Sequence, residues 1–408
     1  MILISKTYWG GAPFQFRRAP NGAHLESLVI RADDFRQSRA LYWTPGGNPR
    51  PKVAAICMHP RVDFTHHYSI PRLVAAGIGV LGANTRHPNN DIDTVHEDIV
   101  LDLAACVKFL KQRRGVDRVI LFGNSGGGAL AALFQAQARL APGERIAATP
   151  GGEPTKLGMA EMIPADGLVL VACHRGQGKV LEQCIDPAVV DEADPLATDA
   201  SLDMYDPANG FRPPPEWTTF GDEFVAGYRA AQLDRVRRLD DRAREHIAAQ
   251  HGGGSREEAL ERVMVVYRTM ANLNYVDRHL DPSGRDYGSL LSERPDLMNL
   301  QLLGFSRVVT PRAWLSTWSG ISSNADLVSN LAGITEPIFV AHAGRDREIY
   351  PATDAAPIAA AVVSKDKTIR EFSGARHYFE PDFGSTDTAH VDALMDAVVP
   401  WIQERFGD

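Results

Sequence analysis

One short stretch concentrates the chemistry: Gly123-Asn124-Ser125-Gly126-Gly127-Gly128, directly after the apolar run 118–122 and before the helix-forming residues 128–134. A serine two residues after one glycine and two before another, between a strand and a helix, is the G-x-S-x-G elbow in the context it requires. The reason is steric: such a sharp turn leaves no room for bulk on either side and projects the serine from a strained backbone. A helix N-terminus also surrounds the hydroxyl with unpaired N–H groups, which suits a developing anion. Ser125 is therefore the candidate nucleophile, with Asn124 and Gly126 beside it.

Residues 126–131 also fit the loose dinucleotide fingerprint G-x-G-x-x-A. That motif needs a further strand with an acidic end about 20 residues on, and residues 141–164 are rich in Gly and Pro with no apolar run. No Gly-Lys-Ser or Gly-Lys-Thr occurs, which removes a P-loop. His59, His66, His67, His87, His96 and His174 are scattered without metal-ligand spacing, so no metal and no cofactor is expected. Cys57, Cys106, Cys173 and Cys184 lack C-x-x-C spacing and read as small buried hydrophobes in a reducing compartment.

The elements that must position Ser125 follow from hydropathy. Residues 25–32 and 35–43, split by Asp33-Asp34, read as an antiparallel hairpin. Residues 52–58, 78–84, 118–122, 167–173 and 337–342 are nearly continuous apolar runs, suited to strands buried on both faces of a parallel sheet. Ile99, Leu103, Val107 and Leu110 make one stripe of an intervening helix. A last strand near 368–372 precedes a closing helix near 389–406, with Val391, Leu394, Val398 and Ile402 inward.

The alternation stops between about 175 and 333. Residues 181–210 hold eight acidic residues, no Lys or Arg, and Asp-Pro three times, and read as extended and turn-rich. Residues 222–250 and 256–280 look helical, the second opening on a Ser255/Glu258 capping box followed by Leu260, Val263, Tyr267 and Met270. Gly252-Gly253-Gly254 reads as a hinge between them.

At 408 residues the chain exceeds one usual core, which fits a large domain with an insertion. Hydrophobic residues at 44% and charged residues at 23% are globular values, excluding a fibre or a disordered chain. Lys plus Arg number 43 against 51 Asp plus Glu, a net charge of −8, which disfavours nucleic acid as a partner. The start, Met1 to Lys6, lacks a basic, apolar leader, and no run reaches membrane length, so a cytoplasmic protein with no membrane partner is expected.

With these residues in place the chain resembles the α/β-hydrolase superfamily, carboxylesterase-like, over about 25–174 and 333–406. The resemblance implies an α/β-hydrolase fold: a mostly parallel central sheet flanked by helices, with a mainly helical cap inserted after the sixth strand. The expected division is core 1–174, cap 175–332 and core 333–408. It also implies the chain order nucleophile, acid, histidine. Asp346, after the next-to-last strand, is then the acid, with Glu348 and Asp354 in reserve; His377, after the last strand, is the base. Of two oxyanion donors, one is the Gly126 N–H. Relatives commonly carry His-Gly before the second donor, whereas this chain has His59-Pro60-Arg61. Proline has no N–H, so Arg61 is the expected donor, with Val62 the alternative.

The activity implied is hydrolysis of a carboxylic ester of a small, partly apolar molecule through an acyl-enzyme. His59, Asn124, Trp314 and Trp318 are expected to contact that small-molecule ester, with Tyr267 and Tyr275 also candidates to face it. Acyl transfer, amide, peptide or carbon–carbon bond hydrolysis would use the same triad. A binding protein that kept the fold would not need Ser125, Asp346 and His377 together. The chain is compatible with a homo-oligomer.

Overall fold

The computed structural model describes residues 4–6, 14–251, 254–302, 304–382 and 385–407. Its centre is an eight-stranded sheet: β1 (His24–Arg31), β2 (Gln37–Thr44), β3 (Val53–His59), β4 (Gly79–Asn84), β5 (Arg118–Asn124), β6 (Gly167–Val171), β7 (Ile338–Ala343) and β8 (Lys367–Phe372). The strand order is β1-β2-β4-β3-β5-β6-β7-β8. β2 runs antiparallel to β1 and β4, and all other neighbours are parallel. Every residue of β3, β4 and β6 is buried, as the continuous apolar runs require.

Alternation along β3 divides the core in two. Ala54, Ile56 and Met58 face one apolar cluster, with α2 (His96–Lys108) and α3 (Gly126–Ala138); Val53, Ala55 and Cys57 face the other, with α1 (Ile70–Ala75) and the C-terminal helix Ala389–Phe406. The stripe Ile99, Leu103, Val107 and Leu110 is buried, as are Val391, Leu394, Val398 and Ile402. All four cysteines are free and buried, and burial pushes the Cys57 and Cys173 thiols up to about 12.

Residues 175–332 run between β6 and β7 and carry their own buried cluster, including Tyr228, Tyr275, Trp314 and Trp318. They contribute α4 (Gln177–Cys184) and the 30-residue α5 (Asp222–His251). Both ends of this segment meet at a neck: Arg175 pairs with Asp326 at 3.0 Å, and the Leu327 N–H donates to the Arg175 carbonyl. The acidic stretch is turn-rich as expected. Asp191, Asp194, Asp199, Asp203 and Asp206 each accept the N–H two residues on, local turns that stand in for a ladder.

The helix expected over 256–280 does not form. The reciprocal Ser255–Glu258 capping bonds are present, but they close only a turn. Leu260, Val263 and Tyr267 stay exposed, so no apolar face repays further winding. The β-branched run around Met264–Val265 extends instead and pairs with Val308–Val309. Of the expected hinge, Gly252 and Gly253 lie outside the described residues. Among the described residues no helix is long and apolar enough to cross a membrane.

Candidate active site

The site gathers at the C-terminal ends of the strands, where the order reverses at β3 and leaves a crevice. β5 ends at Asn124, and Ser125 follows with φ 55° and ψ −129°, a region costing roughly 1–3 kcal/mol for a residue with a side chain. The neighbouring glycines are there for room. A Cβ on Gly127 would stand 2.5 Å from the Met58 carbonyl oxygen, and one on Gly128 would stand 2.3 Å from Cys173 Sγ. The strand–turn–helix unit thus presses directly against β3 and the end of β6.

Asp346 and His377 come from the loops after β7 and β8. Those loops are laced together: Gly344 N–H donates to Phe372 O and Arg345 N–H to Ala375 O. His377 Nδ1 lies 2.8 Å from Asp346 Oδ2, and Asp346 Oδ1 accepts the N–H groups of Glu348 and Ile349 at 2.8 and 3.2 Å. His377 Nε2 is buried and unpartnered among the described residues. The Ser125–His377 hydrogen bond is not formed in this structure; such contacts often tighten only when substrate binds. Of the reserve acids, Asp354 accepts the Tyr350 N–H at 3.0 Å, whereas Glu348 borders the cavity.

Ser125 opens into a narrow cavity of about 60 Å³. The sheet side supplies His59, His174, Glu348 and Tyr378; residues 175–332 supply Gln177, Val180, Leu290, Phe305 and Trp318. Arg61 and Asp91 pair at 3.1 Å on its border, and the Arg61 guanidinium lies over the Phe305 and Trp318 rings.

Some expected contacts fall elsewhere. Trp314 is fully buried and donates its indole N–H to Asp240 at 2.8 Å, so it serves the separate buried cluster of residues 175–332, away from the cavity wall. Tyr275 is buried against Cys184, and Tyr267 is exposed. Asn124 is wholly engaged: its amide donates to Val171 O, and its oxygen accepts from His67 Nε2 and Tyr68 OH. It braces the elbow from behind. The Arg61 N–H, expected to face an oxyanion, donates instead to His59 Nδ1 at 3.2 Å, as does the Val62 N–H at 3.0 Å. Gln177 and Tyr378 were not singled out from sequence. Gln177 opens the helix after β6, and its position just past a strand end in a parallel sheet was the available signal.

Electrostatically the histidines divide. Burial alone would lower the His377 pKa, but the charge of Asp346, its hydrogen bond, and Glu348 and Glu380 outweigh burial and lift it to about 9. Burial, helped by neighbouring cations, drives His174 down to about 3 and His59 well below its ordinary value. Burial also raises the Glu348 carboxyl, against the pull of His377. One imidazole is thus basic, and two beside it stay neutral.

No family model matches the chain, and no curated protein matches it. Among solved structures it is similar to the hypothetical protein PA2218 from Pseudomonas aeruginosa, at 12% identity and TM-score 0.50 over 97% of this chain and 99% of that one. It is also similar to the alpha/beta hydrolase GrgF from Penicillium sp. sh18, at 10% identity and TM-score 0.49 over 94% of this chain and 100% of that one. Est1E from Butyrivibrio proteoclasticus aligns at 12% identity and TM-score 0.46, over 94% of this chain and 99% of that one. The likeness is one of fold alone: a mostly parallel eight-stranded sheet flanked by helices, the α/β-hydrolase fold.

Proposed function

We propose that this protein is a serine hydrolase cleaving a carboxylic ester of a small, partly apolar molecule, with Ser125, His377 and Asp346 as its triad. The observation that carries the reading is the strained backbone of Ser125 at the mouth of a helix, in a cavity also lined by Glu348 and Tyr378 from the two loops that hold the buried Asp346–His377 pair.

Because His377 Nδ1 faces a carboxylate, its proton is held there and Nε2 is the basic nitrogen. His377 Nε2 takes the proton as Ser125 Oγ bonds to the acyl carbon and the carbonyl pair moves onto oxygen. The resulting oxyanion is met by the Gly126 N–H, the first of 13-residue α3, whose dipole adds to the stabilisation. Collapse expels the alcohol with the proton from His377, and water then repeats the sequence on the acyl-enzyme. Val180, Leu290, Phe305 and Trp318 support an apolar portion of the substrate. Buried free cysteines support a cytoplasmic setting.

Incubation with a fluorophosphonate and peptide mapping tests the assignment. A label on Ser125, lost in Ser125→Ala together with p-nitrophenyl ester turnover, is expected. Full turnover by Ser125→Ala removes the nucleophile, and a label without ester turnover points to acyl transfer or to amide or carbon–carbon cleavage.

A further inference from the structure

The second oxyanion donor is unassigned by the backbone. The N–H groups of Arg61 and Val62, the two candidates in the loop after β3, are both directed at His59 Nδ1. An imidazole whose Nδ1 accepts hydrogen bonds carries its single proton, in the neutral form, on Nε2. His59 Nε2 lies 3.0 Å from the point where a Cβ on Gly126 would stand, and His59 borders the same cavity as Ser125. It therefore presents an N–H to the space beside the Gly126 amide. The ring is kept neutral chiefly by its burial and by the charge of Arg61 beside it.

A second observation marks the spot as one where an acceptor belongs. Gln177 is 4% exposed, its amide makes no well-formed hydrogen bond although His96 stands beside it, and its Nε2 lies 2.6 Å from that same Cβ point. A buried amide left unpaired is costly unless a ligand atom completes it. The crowding also explains why position 126 is glycine: any side chain would occupy the space that His59 and Gln177 converge on.

We propose that the imidazole Nε2–H of His59 is the second oxyanion donor, a catalytic side chain in place of a loop N–H. The inference rests on Ser125 being the nucleophile. In the step concerned, Ser125 Oγ bonds to the acyl carbon, the carbonyl π pair moves to oxygen, and the Ser125 proton goes to His377. His59 donates a hydrogen bond and transfers no proton.

Two variants separate this role from support of the loop. In His59→Asn the amide oxygen can stand for Nδ1, keeping the acceptor for Arg61 and Val62 while deleting the Nε2–H. In His59→Gln the amide nitrogen can reach the Nε2 position while the Nδ1 acceptor is lost. The proposal expects kcat on a p-nitrophenyl ester to fall about 10²–10³-fold in His59→Asn, with KM within a few-fold. His59→Gln should retain at least about tenfold more kcat than His59→Asn, by the same reasoning that the donor carries the effect. The inhibition constant of a trifluoromethyl ketone, whose adduct bears the same oxyanion, should rise in His59→Asn alongside the loss of kcat. His59→Asn equalling or exceeding His59→Gln, at matched thermal midpoints, overturns the proposal. Failure of the wild-type protein to take a fluorophosphonate at Ser125 sinks the underlying reading instead, so the two failures are distinct.

Discussion

Asp346 holds His377 with one oxygen and its own loop with the other: Oδ2 lies 2.8 Å from Nδ1, while Oδ1 accepts the Glu348 and Ile349 N–H groups. That division fixes what an amide would do here. In Asp346→Asn the two backbone donors select the oxygen for the Oδ1 place and turn the NH₂ toward His377. The imidazole must then accept at Nδ1 and carry its proton on Nε2, where it has no capacity for the Ser125 proton. We expect kcat to fall by about 10⁴ with the fold retained, measured on a p-nitrophenyl ester with circular dichroism as the control. If Glu348→Gln proves the more damaging change, Asp346 is the wrong acid.

The pH profile follows from His377. Its folded pKa is raised to about 9, and only the neutral ring can act as base. The acid limb of kcat/KM should therefore lie near 9, with activity rising through it. Glu348 contributes to that elevation, so Glu348→Gln should move the limb to lower pH. A wild-type limb near 6.5, or a limb that does not move in Glu348→Gln, contradicts the electrostatic account.

Acid should destabilise the fold through histidines that never face the solvent. Burial depresses His67 to about 3, His96 to about 4 and His174 to about 3. Unfolded, each binds its proton near pH 6.5, so the unfolded chain takes up more protons below that pH. Stability is then present above about 6.5 and lost as pH falls toward 3–4, each histidine adding a slope of up to about 1.4 kcal/mol per pH unit. Thermal midpoints between pH 7 and 5, on the order of this window, should fall steeply, and less steeply in His67→Gln. Equal slopes in the two proteins would show that His67 titrates freely in the fold.

The elbow glycines predict a pair of unlike failures. Gly128→Ala meets a cysteine side chain, Cys173, and should destabilise by about 1–3 kcal/mol, partly recovered by adding Cys173→Ala. Gly127→Ala meets the Met58 backbone carbonyl, which no side-chain change relieves. Chemical denaturation of each glycine variant with and without Cys173→Ala, four proteins in all, reads this directly; recovery of Gly127→Ala by Cys173→Ala would mean the crowding is not where the structure puts it.

Much of this was legible because the signals were local. Continuous apolar runs announced strands buried on both faces, and the spacing around Ser125 announced the turn between β5 and α3. The aspartate turns of the acidic stretch were equally visible, since each closes within two residues. What escaped depends on orientation across the fold. Ser255 and Glu258 cap a turn whether or not a helix follows, and only tertiary burial decides that. Trp314 and Trp318 sit four residues apart, yet one enters a core and the other a cavity. The direction of the Arg61 N–H, toward His59, is set by a loop conformation that no residue pattern encodes.

The neck between Arg175 and residues 326–327 bears on modularity as well as mechanics. The strands on either side of it, β6 and β7, are held by their own ladder, so the segment between them leaves and returns through a stem that is already closed. Exchanging that segment for another across the same short gap would replace the cavity wall made by Val180, Leu290, Phe305 and Trp318, and would leave Ser125, Asp346 and His377 on loops of the sheet itself.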